Sequence, residues 1–173
     1  MTRQRPFHVL CADPPWSFGD GLGKRGAHAN YPTLSISDIC RFPLPPLAGD
    51  ALLFLWRVSS QIEEALIVCR AWGFEPKSEI VWNKTTRTGK QHFGMGRYVR
   101  ASHESCLIAR RGRPVIRARN VRSAFSSPVG RHSEKPEAFY DLVEQLSAGP
   151  YVELFARRQR PGWTCLGNEL EAA

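Results

Sequence analysis

Ala51-Leu52-Leu53-Phe54-Leu55-Trp56 is a continuous apolar run, too short to be a long buried helix and without the alternation of a strand that has one wet face. Such a run reads as a strand covered on both sides, which calls for helices above and below a sheet. The residues that follow supply one of them. Ile62, Ala65, Leu66, Cys69 and Trp72 recur at helical spacing, with Ser59 or Ser60 as N-cap and Gly73 as the stop. Glu79-Ile80-Val81-Trp82 then reads as a second strand, and strand, helix, strand predicts a βαβ unit within a mostly parallel sheet.

The rest of the chain fits the same scheme. Phe7-His8-Val9-Leu10-Cys11-Ala12 reads as a buried strand cut off by Asp13-Pro14-Pro15-Trp16, because prolines cannot extend a ladder. Residues 19–30 are glycine-rich and polar and predict a mobile loop or lid. A short helix follows from residue 34, capped by Ser35 or Ser37. Ser105-Cys106-Leu107-Ile108-Ala109 and Tyr151-Val152-Glu153-Leu154-Phe155-Ala156 read as strands. Between them Ser133 or Glu134 leads through Lys135-Pro136 into a helix that buries Phe139, Leu142, Val143 and Leu146. A chain of 173 residues is one domain's worth, so the expectation is a single α/β domain over residues 1–173 with helices on both faces of the sheet.

Charge narrows the partners. The net charge is +8, and residues 84–122 hold eleven lysines and arginines against Glu104 alone. A patch of that kind neutralises phosphates and gives salt-sensitive nucleic-acid binding, although a solvated loop face has the same composition. Within it His92, Phe93 and Tyr98 are placed to stack on bases. The five cysteines are scattered and none forms a C-x-x-C pair, which fits reduced buried thiols. The histidines show no ligand spacing, so no metal is expected. No apolar run reaches the roughly 20 residues of a membrane span, and residues 1–6 lack a signal peptide's apolar stretch, so a cytoplasmic protein is expected.

Ligands of open α/β sheets bind at the carboxyl ends of strands, where the Asp13 corner falls. An exocyclic amine conjugated to an aromatic ring is a poor nucleophile until acceptors hold its hydrogens and the nitrogen pyramidalises. The Asp13 carboxylate and the Pro14 carbonyl are such a pair, and two fixed proline φ angles stiffen them. Trp16 offers a flat face for a flipped base. A structural proline corner is the plain alternative.

Asp13-Pro14-Pro15-Trp16 resembles the active-site motif of the adenine-N6 methyltransferases that include the catalytic subunit of the mRNA adenosine methyltransferase and its bacterial and phage relatives. The resemblance continues in the same order through Tyr31-Pro32-Thr33, Leu53-Phe54-Leu55-Trp56, Glu79 to Thr85, His103-Glu104-Ser105-Cys106-Leu107, Lys135-Pro136-Glu137, Glu153 to Arg157, Gly162-Trp163 and Gly167-Asn168-Glu169. It implies a Rossmann-like methyltransferase fold with permuted motifs, the active-site strand coming before the cofactor-binding strand. It implies S-adenosyl-L-methionine as methyl donor and Asp13, Pro14, Pro15 and Trp16 as the catalytic corner. On this basis Cys11, Ala12 and Asp13 line the donor's methionine, with Lys135 at its carboxylate. Arg157, Asn168 and Glu169 reach the ribose, and Phe155 flanks the donor's adenine. Tyr31, Lys84, Arg97, Tyr98 and Arg100 are the expected substrate contacts. The segment after Arg157 is short, which implies modest donor affinity or completion of the site by a homodimer mate or partner subunit. DNA is the expected substrate, RNA the second reading, and a non-catalytic nucleic-acid-binding subunit of the same fold the third.

Overall fold

The computed structural model describes residues 5–17, 33–96, 98–130 and 134–167. Its elements run β1 (Phe7–Ala12), α1 (Ile36–Cys40), β2 (Leu47–Arg57), α2 (Ile62–Ala71), β3 (Glu75–Thr85), β4 (His103–Arg111), β5 (Ala124–Pro128), α3 (Glu137–Leu146), β6 (Tyr151–Leu154) and β7 (Trp163–Leu166). The strands form one sheet in the order β5-β3-β4-β2-β1-β6-β7. All neighbouring pairs are parallel except the two made by β4. The sheet is therefore mostly parallel, as the apolar runs predict. The βαβ reading needs one correction: β2 and β3 run the same way, but β4 inserts between them antiparallel to both.

Period 2 divides the strand side chains between two cores. Leu10, Ala12, Leu53 and Leu55 face one cluster with Ala65, Val68 and Cys69 of α2 and Ile39 of α1. Val9, Cys11, Phe54 and Trp56 face the other, with Phe139, Leu142 and Val143 of α3. Both faces of the sheet are thus covered. Ser35 caps α1, its hydroxyl accepting from the Asp38 amide at 3.1 Å. The expected serine caps of α2 are not used, since Gln61 occupies the N-cap with no side-chain bond to the helix.

The sheet's order fixes where a ligand can enter. From β1 the chain steps to β2 on one side, while β6 and β7 add on the other, so a switch point lies between the carboxyl ends of β1 and β6. Asp13 follows β1 and Phe155 follows β6. Strands β5 and β7 escape a reading by hydrophobicity. Ala124–Pro128 carries two serines and alternates exposed and half-buried residues, and β7 is only four residues long.

Candidate active site

The corner after β1 is a tight turn braced from three directions. The Trp16 amide donates to the Pro14 carbonyl at 2.8 Å, the Leu34 amide to the Pro15 carbonyl at 2.9 Å, and the Gln61 side-chain amide to the Ser17 carbonyl at 2.7 Å. An amide bonded to the carbonyl two residues back is a γ-type turn, a fold of the chain that proline's restricted φ favours. One lone pair of the Pro14 carbonyl is thereby engaged, and a carbonyl oxygen keeps a second.

Trp16 differs from the expectation. Its ring is 4% exposed, packed in the α1/α2-side core, and its indole N–H donates to the Trp56 carbonyl at 3.1 Å. A ring enclosed in this way offers no open face to a base. Its role in this structure is to pin the corner to the end of β2. Cys11 and Ala12 are corrected likewise. Both are 1% exposed with side chains in the two cores, so only their backbone can line a ligand. Burial, with help from the charge of Glu153, pushes the Cys11 thiol well above its usual range and keeps it an inert thiol.

Asp13 is the accessible member of the corner. Lys135, 7% exposed, donates to Asp13 Oδ2 at 2.6 Å and lies 3.2 Å from Glu104 Oε2. Lys84 pairs with the other oxygen of Glu104, completing a chain Asp13–Lys135–Glu104–Lys84. Burial alone would raise the Glu104 carboxyl, but the ammonium groups of Lys135 and Lys84 outweigh it and hold it at about 2. Burial would likewise lower Lys135, yet Asp13 and Glu104 win and raise it. Lys135 also lies 4.9 Å over the Trp56 ring and Lys84 5.0 Å over Trp82.

Across the switch point Glu153 of β6 accepts from the Tyr140 hydroxyl at 3.0 and 3.2 Å. Burial pushes its carboxyl up to about 7, opposed by the Tyr140 bond and assisted by the charge of Asp13. Phe155 then turns the chain at φ 60, left-handed backbone that a bulky residue adopts only when its surroundings hold it there. The Phe42 ring does so, with its centroid 4.6 Å from that of Phe155. Asp13, Lys135, Glu153, Phe155 and Arg157 line one cleft together with Glu134, Tyr140 and Arg158. Its free volume is about 10 Å³, room for roughly one water.

The expected substrate residues are less united. Tyr98 is 92% exposed and Phe93 77%, both on the segment between β3 and β4, where Arg100 lies 5.1 Å over the Phe93 ring. Lys84 is held by Glu104 beside the cleft. Tyr31, Arg97, Asn168 and Glu169 lie outside the described residues. Glu104 and Tyr140 were not singled out by sequence reasoning. The signal for Glu104 was present, a lone carboxylate among eleven cations that each favour a partner. Tyr140 carried none, since it reads only as one more residue on the apolar face of α3.

Comparison with known proteins identifies the family. The MT-A70 family pattern matches residues 7–169. The Type II methyltransferase M.MunI of Mycoplasma sp is 32% identical over 96% of this chain and 79% of its own. The N(6)-adenosine-methyltransferase catalytic subunit METTL3 of Homo sapiens is 32% identical over 95% of this chain but 28% of its own length. The MT-A70-like protein of Drosophila melanogaster is also 32% identical, over 99% of this chain and 28% of its own. Matched by the family pattern over nearly its whole length and 32% identical to a relative it largely covers, this chain belongs to the MT-A70 family of adenine-N6 methyltransferases.

Proposed function

We propose that the protein methylates the N6 amine of adenine in DNA, with S-adenosyl-L-methionine as donor bound in the cleft between β1 and β6. The single observation that carries this is the buried Lys135 bonded to Asp13 where the sheet's strand order turns. The cleft's side chains fit the donor's groups. Lys135 suits a carboxylate, Asp13 an ammonium and Phe155 a planar base. Bound there, the donor supplies an electrophilic methyl group. Because the cleft is narrow, admission requires side chains that line it, Arg158 among them, to swing aside.

Asp13 does the work on the substrate. Lys135 takes Oδ2, which leaves Oδ1 to accept an amino hydrogen, and the second lone pair of the Pro14 carbonyl is the other acceptor. Holding both hydrogens lets the nitrogen lone pair leave the ring's π system. The freed lone pair would then be able to take the methyl group that a donor held by Lys135, Asp13 and Phe155 would supply, and the proton released from nitrogen would pass to Asp13 or to solvent. The exposed Phe93, Tyr98 and Arg100 replace Trp16 as the surfaces for stacking and phosphate contact.

What supports DNA is coverage, since the chain spans 79% of M.MunI and a little over a quarter of the N(6)-adenosine enzymes. RNA is the second reading, favoured by the equal 32% identity to those enzymes. No helix among the described residues is long and apolar enough to cross a membrane, and a cytoplasmic site of action agrees with that. The test is transfer of a labelled methyl group to matched DNA and RNA oligonucleotides. Incorporation into DNA at more than ten times the RNA rate is expected, and the reverse preference overturns the DNA assignment.

A further inference from the structure

A second basin lies away from the Asp13 corner. It measures about 490 Å³ and is lined by Arg70, Gly73, Phe74, Glu75, Pro76, Arg110, Arg111 and Gly112. The register places it at the other end of the sheet. Ala12 aligns with Leu55 and Leu55 with Leu107, while Arg111 lies four residues further along β4. Spacings of about 3.3 Å per residue and about 4.8 Å per strand separate Ala12 and Arg111 by ~16 Å. The basin also faces the other way. Phe74 belongs to the core on the α2 side, whereas Lys135 stacks on Trp56 in the core on the α3 side.

Three arginines and one carboxylate line this basin. Two of the arginines have local reasons to be there. Arg70 sits in the last turn of α2, where a cation offsets the helix dipole, and Arg110 reaches Glu75 at 3.3 Å. Glu75 is shared with Lys77, so it offsets the basin's three arginines only in part. Arg111 has no carboxylate partner among the described residues, and its Nε is buried without a hydrogen bond. Its guanidinium carbon lies 5.1 Å from the centre of the Phe74 ring, a cation–π contact that restrains the fork. Two glycines shape the rim. Gly73, at φ 80, leaves the space that a side chain would fill against Arg111 Nη1 at 4.0 Å, and Gly112, at φ 63, folds the end of β4 back against Asp50. A preset arginine fork with two further arginines around an open basin matches a phosphate better than a carboxylate side chain, which would need only one of them.

We infer that this basin is a second anion site that takes backbone phosphates of nucleic acid, remote from the adenine pocket; it rests on the reading of nucleic acid as substrate. A site facing away from the pocket engages a different stretch of backbone from the one that carries the target base. It tethers the enzyme without reading sequence.

The test uses the full chain and a labelled 20-base-pair duplex of guanine and cytosine only, which offers no adenine to the pocket. Binding is followed by anisotropy against salt. Arg70→Ser with Arg110→Ser should weaken binding about tenfold near 0.1 M salt and reduce the salt slope by roughly 2, one phosphate per arginine at about 0.9 each. Glu75→Gln removes the opposing charge and should tighten binding. Arg111→Met should weaken it, and the melting temperature shows whether that variant is folded. Methyl transfer to a short adenine-containing oligonucleotide should be unchanged in the double variant. An unchanged salt slope overturns the site. Displacement of the duplex by inorganic phosphate beyond chloride of equal ionic strength, lost in the double variant, supports the backbone as occupant, whereas calorimetric binding of phosphate to the basin with no displacement of the duplex overturns it in favour of the free anion. If wild-type protein binds the duplex in this way but methylates no oligonucleotide, the proposed function fails while the basin stands.

Discussion

Asp13 and Trp16 are three residues apart and do opposite things. Asp13 is half-exposed with one oxygen committed to Lys135, and Trp16 is enclosed with its N–H committed to Trp56. Substituting Asp13→Asn keeps the shape but removes the charge that draws the amine's hydrogens. Turnover should fall at least ~100-fold, the scale of losing one preorganised group at a reacting centre, while thermal unfolding stays cooperative. Trp16→Phe leaves the Trp56 carbonyl unpaired and should cost about 1–2 kcal/mol. Trp16→Ala opens a cavity and should cost roughly 3–5 kcal/mol. Denaturant titration of the two variants checks both, and an alanine variant as stable as wild type would show that the ring is not part of the core. Glu153 adds a pH dependence. Unfolded, it releases its proton near 4.5, and folded only near 7, so the folded state holds the extra proton between these values. Stability therefore falls as pH rises through that window, by roughly 3 kcal/mol at most. Glu104, held at about 2, titrates below the window and does not blur it. Glu153→Gln keeps an acceptor for Tyr140 and should flatten the fall in unfolding midpoint between pH 5 and 8. An equal fall in the variant would assign the dependence to another group.

At the scale of elements, legibility followed hydrophobic contrast. β1 and β2 carry continuous apolar runs and β6 one broken only by Glu153, so these strands are readable, as are α2 and α3 from their period and α1 from its Ser35 cap. β5 and β7 were not, because each is short and its pairing comes from a partner strand rather than its own composition. The antiparallel insertion of β4 was also hidden, since direction leaves no mark on an apolar run. What turns the chain at the end of β4 is readable only in three dimensions. A Cβ on Gly112 would lie 2.1 Å from Asp50 Oδ1 and 2.5 Å from the Gly49 carbonyl, at a φ of 63. Gly112→Ala should therefore lose about 1–3 kcal/mol, measurable as a lowered denaturation midpoint. No loss would show that the corner relaxes freely.

For the whole molecule, the motif order groups residues that the sheet brings together, since Asp13, Lys135, Glu153, Phe155 and Arg157 line one cleft at the switch point. The electrostatic chain Asp13–Lys135–Glu104–Lys84 was not legible, since Asp13 and Lys135 are 122 residues apart in sequence and only the sheet joins them. Charge is also distributed over more than one part of the molecule: Lys90 and Arg100 lie between β3 and β4, and Arg70, Arg110 and Arg111 lie at the other end of the sheet. The central claim is that Asp13 activates an adenine amine for methylation, and the most direct measurement is mass spectrometry of nucleosides released from DNA after incubation with isotopically labelled S-adenosyl-L-methionine. The account predicts labelled N6-methyladenine with wild-type protein and its loss with Asp13→Asn. Label on another base, or an undiminished N6 product from the asparagine variant, would contradict it.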